Sequence, residues 1–323
     1  MNPSIESFTT RGLALKAEVT EGSDAAPTSA LNAFQIMEGT SKIVADAIAR
    51  NPDRPYFNSR RSRYTNFRGQ INGQIEIVPP EAPGTDPLAV GLALEICGMA
   101  KTLTAPAVGP PVVKGKNVYN PISRLIPSAS AYWWHAGTFR KITGTRGNLS
   151  GLSMEIGKMF AAQLALEGRL LAFSEADLPT DFDFDAFLEP TPYTTESGLL
   201  TIDDFAVNGK LLSVDFGNQL KTIEHTEARI GRIGSKDSKF KCRFYRTALA
   251  DFDPYAKWKA GDIIEMKGVN VEDGGGRQSV MTVLGQITGL DEPNQDNDYA
   301  WEISGDACAV DGNDEVLLSF EEV

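Results

Sequence analysis

The side chains able to do acid–base, nucleophilic or metal chemistry are few and scattered. There are two histidines, His135 and His225, and three cysteines, Cys97, Cys242 and Cys308. A zinc or other transition-metal site needs imidazole and thiolate groups at close, regular spacing, and none of these five stands near another. His135 follows Tyr132, Trp133 and Trp134 and reads as core or interface packing, while His225 lies in a polar stretch and reads as surface. Cys242 and Cys308 fall in strand-like patterns and Cys97 ends an apolar helix face, so all three read as small core hydrophobes. Their odd number and wide spacing argue against a disulfide framework and fit a reducing cytoplasm. Asp291, Glu292, Asp296 and Asp298 offer oxygens to a hard cation but lack EF-hand spacing, and read as an exposed acidic turn. The stretches Gly109–Lys116 and Gly151–Lys158 have one residue too many for a phosphate loop and lack the following Ser or Thr. Gly274-Gly275-Gly276 stands outside any strand-to-helix context and reads as a hairpin tip. No local Ser-His-Asp or Cys-His signature appears. The expectation is a protein that is not an enzyme, with no catalytic, cofactor-binding or metal residues.

The chemistry that is present is charge. The 323-residue chain carries a net charge of −12, a poor balance for holding nucleic acid over a whole surface. Residues 1–190 have 18 basic and 19 acidic side chains, whereas residues 191–323 have 13 and 24. Two basic blocks interrupt this. The first holds Arg50, Arg54, Arg60, Arg61, Arg63 and Arg68, interleaved with Tyr56, Phe57, Tyr64 and Phe67. The second holds Arg229, Arg232, Lys236, Lys239, Lys241, Arg243 and Arg246. A purely acidic stretch, 175–189, contains Asp181, Asp183 and Asp185. Such blocks serve either as solvated faces or as matching surfaces across subunit contacts, where opposite charge fixes register. Arginine mixed with aromatics is the composition of interface hot spots. The first block is therefore expected to reach a neighbouring subunit, with the acidic stretch or the acid-rich tail as its partner.

The elements that must position these residues are mostly strands. Ile71, Gly73, Ile75 and Ile77 alternate with polar residues, as do Phe240, Cys242 and Phe244. Further strands are expected at Leu13–Val19, Ala131–His135, Phe139–Thr143, Leu149–Ile156, Phe160–Leu171, Leu211–Phe216, Gln278–Thr288, Tyr299–Cys308 and Val316–Phe320. Asp86-Pro87 and Asp253-Pro254 each place an acid before a proline and predict short helices. These pairs are 167 residues apart, and at the same offset Ile75 maps to Cys242 and Ile77 to Phe244. Each half thus runs basic segment, alternating strand, Asp-Pro helix and long strand pair. The expected organisation is an arm over 1–11, a first β domain over 12–190 with an extended Arg-rich loop at 39–68, and a second β domain over 191–323. No targeting or membrane segment is expected. The N-terminus is polar, and the apolar run Pro87–Ala100 is too short to span a bilayer.

Several of these features in order resemble one family. They are Lys16-Ala17-Glu18-Val19-Thr20-Glu21-Gly22-Ser23-Asp24-Ala25-Ala26-Pro27-Thr28, Arg54-Pro55-Tyr56-Phe57, Asp86-Pro87-Leu88-Ala89 and Cys97-Gly98-Met99-Ala100. Gly144-Thr145-Arg146-Gly147, Asp215-Phe216-Gly217-Asn218 and Asp253-Pro254-Tyr255-Ala256 follow. From about residue 12 to the C-terminus the chain is similar to the major tail tube proteins of long-tailed (siphovirus-like) bacteriophages. The resemblance implies a virion structural protein, assembled in the bacterial cytoplasm into stacked rings. The hollow tube encloses a tape-measure protein, conducts DNA during ejection, and meets tail terminator and distal tail proteins at its ends. It implies a mainly β fold of two tandem tail-tube β-sandwich domains, each with a short flanking α-helix, whose inner strands form a barrel on assembly. With two domains per chain, three chains would complete a pseudo-sixfold ring. An acidic channel wall would keep DNA from sticking. Another tail or capsid part, such as a terminator, baseplate hub or decoration protein, is the alternative, and a β-rich hydrolase a remoter one.

Overall fold

A computed structural model describes residues 10–49, 61–224, 229–272, 274 and 276–323. The chain is mainly β, with three short helices among the described residues. Its first half contains β1 (Arg11–Ala17), α1 (Ser29–Asn32), β2 (Met37–Ile48), β3 (Arg63–Glu76), α2 (Gly91–Ile96), β4 (Met99–Thr104), β5 (Lys116–Pro121), β6 (Ala129–His135), β7 (Thr138–Glu155) and β8 (Ala161–Glu175). The second contains β9 (Gly198–Ile202), β10 (Phe205–Val207), β11 (Gly209–Asp215), β12 (Leu220–Glu224), β13 (Arg229–Ile233), β14 (Lys239–Tyr245), α3 (Pro254–Ala260), β15 (Ile263–Val271), β16 (Arg277–Asp291), β17 (Asn294–Gln295), β18 (Asp298–Ala307) and β19 (Val316–Glu322).

One antiparallel order occurs twice. In the first half β2, β3, β8, β7, β6 and β1 lie side by side in that sequence. In the second half β11, β14, β18, β16, β15 and β9 do the same. Ranked along the chain, the strands take the same places in both orders, and a helix follows the third strand each time. Both orders also turn back on themselves. The stretch leading into β2 meets β1, with an Ala14–Ala33 bridge and the Phe34 amide donating to the Leu13 carbonyl at 2.8 Å. Likewise β10, which leads into β11, pairs with β9. A ring of this kind leaves fewer open edges than a flat sheet.

The two orders are hydrogen-bonded to each other. The end of β7 pairs with β11 through Leu152–Val214, Ser153–Ser213, Met154–Leu212 and Glu155–Leu211. The C-terminal β19 lies between β16 and β5, and β4 follows β5. The boundary expected at 190/191 falls within an irregular segment, 188–196, that is gripped from both sides. The Tyr193 amide donates to the Lys158 carbonyl, and Asn270 Nδ2 donates to the Thr191 carbonyl at 3.1 Å. Buried side chains from Leu13 to Phe320 form one continuous core. At about 25 cal/mol per Å² of apolar surface, this shared core favours keeping the halves together.

Local departures from the expected elements have physical causes. Phe139–Thr143 and Leu149–Ile156 belong to one long strand, β7. Gly144 and Gly151 adopt φ of 60° and 58° at β-bulges, so they bend the strand without ending it. Asp253 caps α3, accepting from the Ala256 amide at 3.0 Å, with Pro254 at the first position. Asp86 caps nothing. It closes a turn with Ala82, its carbonyl accepts from Asn117 Nδ2, and α2 starts five residues later. Residues 39–48 and 63–68, expected within a loop, are the two arms of the β2–β3 hairpin. Their side chains are largely exposed on both faces, so no clean alternation marks them.

Candidate functional site

The β2–β3 hairpin extends beyond the sheet that holds it. Arg68 is the last residue of β3 to pair with β8, opposite Arg169, and residues 63–67 pair only with β2. A bulge lies at this departure point, where Asn66 has φ of 53°. Asp46 pins the bulge from the other arm, accepting from Asn66 Nδ2 at 2.7 Å and Arg68 Nη2 at 2.8 Å. Arg68 also faces Glu167, with Nε 3.9 Å from Oε1. Glu167 is buried and accepts from Gln70 Nε2 at 2.5 Å and Thr222 Oγ1 at 3.0 Å. A single polar knot therefore joins β3, β8 and β12, elements from both halves. Arg68, expected as a contact to a neighbour, is engaged within its own chain.

Beyond the knot the hairpin presents unengaged side chains. Arg61 and Arg63 are exposed and form no ion pair among the described residues. Tyr64 is 64% exposed, and Ile43, Ile48 and Phe67 are exposed beside it. The end of β8 adds Leu171 and Phe173, with the Arg140 guanidinium 5.8 Å from the Phe173 ring. This is an Arg–aromatic–aliphatic surface with few charges of opposite sign, the composition of an interface core. Arg50, Arg54, Tyr56, Phe57 and Arg60 lie outside the described residues.

The acidic stretch after β8 is a strap held down by its aromatics. Asp181, Asp183 and Asp185 are exposed, and Phe182 and Phe184 alternate with them. Phe182 packs edge-on to Trp134 at 5.7 Å, and Phe187 edge-on to Phe34 at 5.8 Å. Asp181 accepts from Ser29 Oγ at 2.6 Å, and Asp183 from the Asp185 amide at 2.9 Å. No Lys or Arg neutralises these three carboxylates among the described residues, so the strap offers a row of negative charge.

The second basic block is arranged differently. Lys239, Lys241 and Arg243 on β14 face acids on β18. Lys239 Nζ lies 2.5 Å from Asp306, and Lys241 Nζ lies 2.7 Å from Glu302. Arg243 Nε donates to Glu302 Oε2 at 2.7 Å. Burial pushes the Glu302 carboxyl up, but Lys241 and Arg243 outweigh it and hold the group below the usual carboxylate range. Lys236 pairs with Glu315 at 2.6 Å. The β14 face is thus neutralised by its own chain.

His225 lies outside the described residues, and the structure places several of the other groups singled out for possible chemistry. Burial pushes the Cys97 and Cys242 thiols well up, away from reactive thiolate. His135 ends β6 with its ring 6.4 Å from that of Trp133. Asp296 is held down at about 2 by Gln295, Lys210 and Tyr245, and Glu292 accepts from the Tyr299 hydroxyl. Among the described residues no group of three His, Cys, Asp or Glu is placed to hold a metal ion, and no helix is long and apolar enough to cross a membrane. The sequence matches no protein-family model and no curated protein.

Proposed function

We propose that the chain is a self-assembling structural subunit of a phage tail tube. Each chain supplies two tandem β units, 12–190 and 191–323, and three chains complete a pseudo-sixfold ring that stacks into a tube. The observation that carries this reading is the six-strand order repeated in the two halves. A chain built from two like units can occupy two adjacent, nearly equivalent places in a closed ring. Among the described residues the outer sides of β2 and β4 are paired with no further strand, which suits continuation into neighbours. The Arg–aromatic hairpin, including Arg61, Arg63 and Tyr64, is the contact to an adjacent ring, and the Asp181, Asp183 and Asp185 strap is its acidic partner. In the virion this tube encloses the tape-measure protein, passes DNA transiently, and is closed by terminator and distal tail proteins.

Electron microscopy of the purified protein at high concentration tests the reading. Long hollow tubes with three chains per ring are expected. Rings of six chains refute the two-unit arrangement. Isolated rings that never stack favour a terminator or hub, and monomers at every concentration refute self-assembly.

A further inference from the structure

Inside the chain, the end of β7, fourth in its strand order, pairs with β11, the first strand of the other order. The Ile156 amide donating to the Lys210 carbonyl and the Phe216 amide donating to the Leu149 carbonyl, both at 3.0 Å, extend this junction at its two ends. β6 covers the same side of β7 only as far as Thr145, and β11 takes part of the stretch that β6 leaves.

The two sides of a second such junction are left over. β16 is fourth in its order, and β15 covers one side of it as far as Gln286. Beyond that point residues 287–291 pair with β18 on the other side, and among the described residues no strand takes the side that β15 leaves. The helix α3 ends beside Gln286, whose Nε2 donates to the carbonyl of the C-cap residue Gly261 at 3.0 Å. β2 is first in its order and pairs with β3 and with no other strand among the described residues. The Phe34 amide is bound to Leu13 and the Gly39 carbonyl to the Arg11 guanidinium, which leaves residues 36–38 between them.

The ladders carry the register of the first junction to the second. Ser153 stands opposite Ala161, and Ala161 opposite Glu76. Asp291 stands opposite Glu302, and Glu302 opposite Arg243. Glu76 and Arg243 are separated by the same 167 residues as the Asp-Pro pairs, so Asp291 holds the place of Ser153. Gln74 maps to Lys241 at that offset. Met37 is opposite Gln74 and Ser213 opposite Lys241, so Met37 holds the place of Ser213. Ser153 and Ser213 face each other in the junction within the chain.

We infer that β16 of one copy pairs antiparallel with β2 of a second copy, residues 290–292 against 38–36, with Asp291 opposite Met37. The inference rests on the tube reading, in which like units hold adjacent and nearly equivalent places, and it names the strands and the register which that reading leaves open. The occupant is a second copy because the chain makes the same contact between its own halves. Glu38, Asp291 and Glu292 bring like charges together there, so main-chain hydrogen bonds, as in strand addition generally, hold the pair.

Disulfide formation tests the pairing. Residues opposite each other on antiparallel strands lie about 4.5–5.5 Å apart at Cα, within disulfide reach. Met37→Cys and Asp291→Cys, each combined with Cys308→Ala, are mixed, concentrated and mildly oxidised; Cys97 and Cys242 are buried. The mixture should give a reducible dimer-mass product about tenfold above either variant alone. It should exceed by a similar factor the product of Met37→Cys mixed with Thr288→Cys, which the register places about 10 Å away. In the unaltered protein, amide exchange at 36–38 and 290–292 should slow about tenfold on assembly. The pairing is overturned if the mixture gives no excess product, if Thr288→Cys matches Asp291→Cys, or if assembly leaves the exchange unchanged. It is also overturned if Met37→Cys alone dimerises to the same extent, the result of symmetric edge pairing. Tubes without the disulfide refute the pairing and leave the tube reading standing. The disulfide without tubes does the reverse.

Discussion

Arg68 and its neighbours Arg61 and Arg63 belong to one basic block but should behave oppositely when removed. The Arg68 side chain is 19% exposed and bridges Asp46, which is 50% exposed, and Glu167, which is 11% exposed. Losing the half-exposed Asp46 pair costs about 0.5–1 kcal/mol after solvent screening. Glu167 keeps Gln70 and Thr222 but loses its cation at 3.9 Å, leaving a largely buried carboxylate without a counter-charge, at about 1 kcal/mol. Arg68→Ala should therefore lower unfolding free energy by about 2 kcal/mol. For an urea m-value of about 2–3 kcal/mol/M, the midpoint falls by roughly 1 M. Arg68→Lys keeps the charge but loses the planar fork, and should fall between. Arg61→Ala and Arg63→Ala touch no partner among the described residues and should stay within about 0.5 kcal/mol of the parent, yet raise the concentration at which tubes form. Urea melts followed by tryptophan fluorescence, beside a sedimentation assay, read both effects. The reasoning is refuted if Arg68→Ala melts with the parent, or if Arg61→Ala and Arg63→Ala destabilise the monomer as much as Arg68→Ala.

The Glu302 carboxyl has a depressed folded-state pKa, so its contribution is present above its unfolded value of about 4.3 and is lost as pH falls through the folded one; Glu302→Gln should flatten the stability profile on the acid side, checked by urea midpoints from pH 7 to pH 3. Asp253→Ala removes the cap of α3 and should cost about 1 kcal/mol, whereas Asp86→Ala, which removes no cap, should cost less in the same denaturation assay. Gly217 has φ of 61°, and a Cβ there would lie 2.1 Å from the Asp237 carbonyl oxygen; Gly217→Ala should lower the melting temperature measured by circular dichroism more than Gly274→Ala, where a Cβ would meet nothing within 4 Å.

What the sequence disclosed, it disclosed through burial. Wherever one strand face enters the core, as at Ile71, Ile75 and Ile77 or Phe240, Cys242 and Phe244, alternation with period two is visible and the strand is found. Where both faces of a strand meet solvent, as along much of β2, no such signal exists. The partners of the second basic block were hidden for a different reason. Lys239 and Arg243 meet acids 67 and 59 residues further on, a separation that no local pattern encodes. The same holds for Arg68, whose role depends on Glu167 in β8 and Thr222 in β12 reaching one point. Nor did composition reveal that the acidic stretch is fastened by Phe182 and Phe187, because its carboxylates dominate the reading while its rings do the packing.

The strand order repeats although the sequence echo between the halves is weak. Two matching Asp-Pro pairs and two strand positions are little to align on, and of the two acids only Asp253 caps a helix. Yet strand order is fixed by which faces are apolar and which edges remain to be paired, and many sequences satisfy the same constraints. The halves differ in the elements that surround the common order. The first half gains the β4–β5 pair between its helix and β6, and the second gains the β12–β13 hairpin and the final strand β19. These additions are not idle. β19 joins β5 to β16, and β12 meets Glu167 through Thr222, so each half is stitched to the other by elements that break the repeat. Separated from one another, the two orders would expose the edge of β11 at Leu211–Val214 and that of β5 at Tyr119 and Val118. The two orders are thus joined both by strands of the orders themselves, β7 and β11, and by the added strand β19 between β16 and β5.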